Sequence, residues 1–219
     1  MKSLVASFEP SVTIVSEIIS TIGEALEAGQ RFRSQEFLKT VETRYELMNP
    51  EEKKKFKECI KSPNGQKIIA DFAVAVATTP SIVVNSALAL LYANDPDFPF
   101  NSHEVERFVS STLGLTDRKV SFLLSLNKVE QVKTKSLYPA YSISEENFVT
   151  LGDIIDVDEL FIYVSDFQSR GLLLMETNQQ KAFGFAEANE NIKWSAKYCI
   201  SDTQHRFISL LRKASEYVA

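Results

Sequence analysis

Cysteine, histidine, glycine and proline are all scarce in this chain, and each scarcity removes a class of protein. Two cysteines, Cys59 and Cys199, stand 140 positions apart in 219 residues. They imply no disulfide framework and read as buried free thiols in a reducing compartment. Seven glycines and seven prolines supply too few tight turns for a sandwich or barrel and favour long helices. The only histidines, His103 and His205, have no metal partner at ligand spacing, so no metal site is expected. No glycine-rich phosphate loop follows a strand, and Gly-x-Ser-x-Gly is missing. A Cys199–His205 thiolate pair lacks an orienting residue and oxyanion donors. The expectation is no catalytic residue, no cofactor and no enzyme activity. The first ten residues lack the apolar run and cleavage site of a secretory signal, which sets a cytoplasmic expectation.

What is present is ordinary globular material, 44% apolar and 24% charged, with enough chain for a sizeable core. The net charge is −5 and the pI about 5.2. Residues 1–115 hold 12 basic and 15 acidic side chains, and residues 116–219 hold 12 and 14. Neither half is a basic module, which weighs against non-specific affinity for polyanions.

From Ser11 the pattern is helical. Val12, Val15, Ile19, Ile22 and Leu26 recur at three and four, with Ile14 and Ile18 widening the stripe, as one face of a helix requires. Gly29 is the expected stop, and Ser34 the cap of a second helix through Leu47. Asn49-Pro50-Glu51-Glu52 opens the next: an amide side chain for the first backbone N–H groups, proline at the first turn, carboxylates at the positive end. Its lysines, Lys53, Lys54, Lys55 and Lys57, interleave with Glu51, Glu52 and Glu58, and the expectation is a solvated face with local ion pairs. Ser62-Pro63-Asn64-Gly65 reads as a turn.

Residues 68–92 are the most apolar part. Asp71, Asn85 and Thr78-Thr79-Pro80-Ser81 interrupt them, so two buried helices broken near Pro80 fit better than a membrane span. Asp71 is the one group there whose burial would be costly. Asp95 to Phe100 is a rigid connector. Ser102 and Thr116 cap two further helices, the first ending near Gly114. Residues 128–143 read as a polar-aromatic connector, and 145–151 as a short helix stopped by Gly152.

The last sixty-odd residues read helix, strand, turn, strand, helix. Asp156 and Glu159 have capping-box spacing, Leu160, Phe161, Val164 and Phe167 form a stripe, and Gly171 closes the helix. Strands are expected at 172–176, at 183–187 beyond a Gln179-Gln180 tip, and at 194–199. Ser201 and Gln204 form a second capping box before a final helix packed through Phe207, Ile208, Leu211, Ala214 and Tyr217. The expected fold is mainly α with a small α+β part: a helical bundle over 1–99, then a winged-helix-like module over 100–219, divided somewhere in 95–116. A winged helix reads DNA with basic or amide side chains, but here the reading helix offers Asp158, Glu159 and Asp166 against Arg170, with Lys181 at the tip.

The stretches Gln168-Ser169-Arg170-Gly171-Leu172-Leu173-Leu174-Met175 and Tyr198 to Phe207, with the block Leu115 to Leu124, resemble the C-terminal part of the abortive-infection alpha group of bacterial phage-resistance proteins. The resemblance covers residues 100–215. It implies a bacterial phage-defence context and carries no catalytic residues to transfer.

The expected function is a non-enzymatic protein-interaction module that docks a protein partner, or a second copy, through Val12, Val15, Ile19, Ile22 and Leu26 and the acidic residues Asp158, Glu159 and Asp166. Two alternatives stand beside it. One is a winged-helix DNA-binding regulator using Arg170 and Lys181. The other is a membrane-active effector using residues 68–92.

Overall fold

The computed structural model describes residues 12–151, 155–176 and 194–218, with the side chains of 12–28, 59, 64–69 and 150 outside the described set. The described residues form eight α-helices and a small antiparallel sheet in the C-terminal part. The first helix, α1, runs unbroken over Val12–Leu47. The stop expected at Gly29 and the cap expected at Ser34 are both overturned. One internal glycine costs a helix only about 1 kcal/mol, and Gln30, Arg31, Arg33, Gln35 and Glu36 are good helix formers that carry propagation past it.

The next start matches its local chemistry. Asn49 Oδ1 accepts from the backbone N–H groups of Glu51 and Glu52, and the Asn49 N–H donates to Glu52 Oε2. That capping box opens α2, Pro50–Lys61. The turn expected at 62–65 shrinks to a single-residue junction, because Pro63 opens α3, Pro63–Thr78, as its fixed φ and missing donor allow. Helix α4 covers Ile82–Tyr92 and is capped by Ser81, whose side chain accepts from Val84 N. The break at Pro80 therefore stands, with the cap one residue beyond it.

Every residue of α4 from Val84 to Tyr92 is buried, and the helix lies between α1 and the C-terminal helix α8, Asp202–Val218. Asn85 Nδ2 donates there to Thr79 O at 3.3 Å, while its buried Oδ1 has no partner among the described residues. Tyr92 gathers the rings of Phe37, Phe56 and Phe72 at 5.6–6.0 Å, so one residue joins four helices. By contrast α3 buries Phe72, Ala75 and Val76 but exposes Val74. It is a one-faced surface helix, which corrects the expectation of two buried helices. Asp71 lies on its exposed side, so the burial cost expected for it does not arise.

Helix α5, Ser102–Thr112, is capped by Asn101 in a reciprocal box with Glu104, one residue before the expected Ser102. Thr116 caps α6, Asp117–Leu126. Residues 128–143 are more than a connector: β1, Gln131–Val132, and β2, Ala140–Ser144, lie within or at its edge. Strand β2 pairs antiparallel with β3, Ser195–Cys199, in the register Ala140↔Cys199 to Ser144↔Ser195. A 3-10 turn follows at Phe148–Leu151, then α7 at Val157–Ser169. Gly171, at φ +73°, ends α7, with Leu172 N–H donating to Phe167 O; only glycine holds that conformation cheaply. The strand expected over 172–176 reduces to one bridge, Leu174 to Cys199, because Leu172 and Leu173 are buried in the helix-ending turn. The three strands form one antiparallel sheet in the order β1-β2-β3, with β1 pairing β2 at Gln131↔Tyr141 and Val132↔Ala140. The strand expected at 183–187, its tip and Gly152 lie outside the described residues.

Tyr198 locks the sheet to α6. Its fully buried hydroxyl donates to Leu126 O at 2.6 Å while its ring stacks on Tyr141. Burial, with Tyr141 beside it, pushes the phenol far above its ordinary pKa, so it stays a donor at every physiological pH. Tyr198→Phe keeps the ring and removes one of two donors to Leu126 O, which still accepts from Val129 N–H at 3.2 Å, so it should cost about 0.5–1.5 kcal/mol. A urea titration checks this: the midpoint falls with the slope unchanged, and an unmoved midpoint removes the hydroxyl from the account.

Candidate docking face

Helix α7 carries the residues that decide between a protein partner and DNA, and its three sides differ. The inner side buries Leu160, Val164 and Phe167, with the Phe167 ring 6.1 Å from Phe122 and 6.4 Å from Tyr163. The side toward α6 is an ion-pair seam. Arg118 Nη2 donates to Glu159 Oε2 at 2.6 Å, and Lys119 Nζ donates to Asp166 Oδ2 at 2.7 Å. Arg170 Nε reaches Asp166 Oδ1 at 2.8 Å and its Nη1 donates to Leu113 O at 2.7 Å. Burial pushes the Asp166 carboxyl upward, but the hydrogen bonds from Lys119 and Arg170 outweigh it and hold the group below its ordinary value. Asp166 is therefore ionised at neutral pH.

The remaining side faces solvent. Asp158, Phe161, Ile162, Ser165 and Ser169 are exposed there, with Ile162 at 62% and Phe161 at 40%. The Phe161 ring meets Trp194 edge to face at 5.8 Å, and Trp194 meets Phe148 at 5.6 Å. Beside Phe148, Val149 is 81% exposed. An aromatic trio thus floors a surface that also carries exposed aliphatic side chains.

The sequence-derived residues fall unevenly on this geometry. Asp158 is exposed and lies next to the apolar residues. Glu159 and Asp166 are spent on α6, and Asp156 completes half of its expected box, accepting from Glu159 N at 2.7 Å while the Glu159 carboxylate turns to Arg118. Arg170, a candidate for phosphate contact, is bound to Asp166. Val12, Val15, Ile19, Ile22 and Leu26 lie along α1, with side chains outside the described set. Lys181 lies outside the described residues. Phe161, expected in the buried stripe, sits at its exposed edge. Leu160-Phe161-Ile162-Tyr163 is a run of four apolar residues, more than one helix face can bury at 100° per residue, and that run was the available signal.

Elsewhere the chemistry is spare. His103 and His205 are both exposed. Cys199 is buried with its sulfur 3.3 Å from Ser136 Oγ. Among the described residues no group of His, Cys, Asp and Glu could hold a metal ion. No described helix is long and apolar enough to cross a membrane. No protein-family model, curated protein or solved structure matches the chain.

Proposed function

We propose that the chain is a non-enzymatic interaction protein that docks a protein partner through the solvent side of α7. One observation carries this reading: Phe161 and Ile162 are exposed beside Asp158, while Arg118, Lys119 and Arg170 are engaged by Glu159 and Asp166. Exposed apolar groups with a charged rim are the anatomy of a protein interface, with affinity from the anchors and partner choice from the rim. A duplex reader needs cations aimed at phosphate and donors aimed at bases, and this side of α7 supplies a carboxylate at that position. The phage-defence setting rests on the C-terminal resemblance, and the apolar stripe of α1 is the second candidate contact.

The test separates docking from folding. Ile162→Asp and Asp158→Lys alter exposed positions, so their melting temperatures should match the parent. Each should weaken partner capture from the native host, or self-association seen by light scattering, by tenfold or more, about the loss of one buried anchor. Retained capture in both variants would move the interface off α7. Reversing Glu159 or Asp166 is a poorer test, because it also breaks the seam with α6.

A further inference from the structure

Lys54, Lys55, Lys57 and Lys61 are exposed, as a solvated face requires, but the local ion pairing expected with them forms only in part. Only Lys55 takes a helix carboxylate, Glu51 at 2.9 Å. Glu52 is turned away, toward Asn49 N and Arg44. Lys53, Lys54, Lys57 and Lys61 instead line one open cleft of about 450 Å³ with Tyr45, Pro50 and Glu58. Among the described residues none of these four forms an ion pair. What holds two of them is uncharged. Lys53 Nζ lies over the Tyr45 ring at 5.3 Å and donates to Glu46 O at 3.3 Å, and Lys57 Nζ lies over the same ring at 5.9 Å.

An aromatic face and a carbonyl attract ammonium groups without neutralising them. Four like charges along one helix repel each other, and against them the cleft has the single carboxylate of Glu58. The result is a local excess of positive charge on a chain whose net charge is −5. Tyr45 is itself fixed, its ring 6.0 Å from the buried Phe56, so two of the cations stand on a rigid support.

We propose that this cleft binds a compact polyphosphate anion, of the size and charge of a triphosphate chain. Lys53 to Lys61 span about 12 Å of helix at 1.5 Å per residue. A linked phosphate chain places several charges within that length, where a single carboxylate or sulfate places one or two. Lysine is a point charge that meets phosphate oxygens from any direction, so no bidentate geometry is needed. Tyr45 is a positioning residue: it acts by holding Lys53 and Lys57 together. The inference concerns α1 and α2 only and stands or falls apart from the docking role of α7.

The experiment is calorimetric titration of the full chain with sodium tripolyphosphate at low and at physiological salt. Binding should be saturable and should weaken with salt. Lys54→Glu with Lys57→Glu should lower affinity by about tenfold or more. Tyr45→Leu should lower it by roughly threefold and Tyr45→Phe should leave it unchanged, because the ring face is what matters. Circular dichroism melts guard against misfolding. Sodium sulfate at matched ionic strength, a glutamate oligopeptide and a short DNA duplex complete the set. Absence of saturable binding overturns the proposal, as does affinity that the lysine pair does not change. Equal binding of sulfate or the glutamate peptide removes the polyphosphate specificity. Duplex that binds far more tightly than tripolyphosphate, through the same lysines, replaces the small anion with a nucleic-acid strand.

Discussion

Asp95→Ala should be among the most destabilising single substitutions in the chain, at about 3–5 kcal/mol, the usual loss when one member of a buried charge cluster is removed. The Asp95 side chain is 1% exposed and holds three elements together. Both of its oxygens accept from Lys213 Nζ of α8 at 2.9 Å. Oδ2 lies 3.5 Å from Arg44 Nε of α1, and Oδ1 accepts from the backbone N–H of Asp97. Arg44 is only 7% exposed, and its other carboxylate, Glu52, stands 3.5 Å away. Without Asp95 the guanidinium stays buried with half its compensation. Arg44→Met should cost much less, because Lys213 still neutralises Asp95 and the methionine fills the space. The double variant should recover part of the Asp95→Ala loss, a coupling that denaturant titrations of all three proteins measure. Equal losses in the two single variants would refute the cluster's asymmetry.

The same cluster has an alkaline limit. Burial pulls the Lys213 pKa down, but the hydrogen bonds it donates to Asp97 and Asp95 outweigh it and the net shift is upward from 10.5. A raised lysine contributes stability below its unfolded value and loses it as pH rises through the folded one. Its contribution therefore persists through neutrality and fades above about pH 10.5.

Phe207→Ala should cost a similar 3–5 kcal/mol for a different reason, the cavity left by a buried ring. Phe207 is fully buried on α8 and meets Phe108 at 5.4 Å and Phe100 at 5.6 Å, both edge to face. Arg206 seals the site, its guanidinium 4.4 Å from the Phe100 ring and 2.6 Å from Glu104 Oε1. Truncation empties a space that three elements line, so the site cannot collapse by moving one side chain. A fall in melting temperature on the order of 10 °C is expected for a chain of this size. Phe207→Leu, which keeps most of the volume, should recover over half of it. A drop of only a degree or two for the alanine variant would show that the ring cluster repacks freely.

Local signals were legible where they are self-contained. Asn49-Pro50, Thr116, Asp156 and Gly171 each act on backbone groups within three to five residues, and each begins or ends a helix as its chemistry requires. The Ser201–Gln204 start was only half legible. Those side chains do meet, but Gln204 Nε2 is drawn to Gly171 O, 33 residues back. Strand β2 was not legible because the partner that pairs its full length, β3, lies more than fifty residues downstream, and the nearby β1 is only two residues long. Nothing near Tyr141 announces that pairing. The acidic surface of α7 was over-read for the same reason. Glu159 and Asp166 look free in one dimension, and their cations arrive from 41 and 47 residues away. The α2 lysines were half legible: Glu51 does pair with Lys55, but Glu52 is drawn to Asn49 N and Arg44, and Lys53, Lys54, Lys57 and Lys61 form no ion pair among the described residues.

Asp117 has a consequence for the order of assembly. It sits in the first turn of α6, yet its carboxylate accepts from Ser81 Oγ and from the backbone N–H groups of Ile82 and Val83, at the start of α4. First-turn amides have no acceptor within their own helix, so α4 borrows one from 34–36 residues further along the chain. Gly114 N–H and Ser81 N–H, bound to Thr79 Oγ1 and Leu115 O, tighten the same joint. The most buried helix of the protein can thus complete its leading turn only after α6 has docked. During synthesis α4 leaves the ribosome before its acceptor does, and a nascent chain stalled ahead of residue 117 would display an apolar segment that chaperones bind.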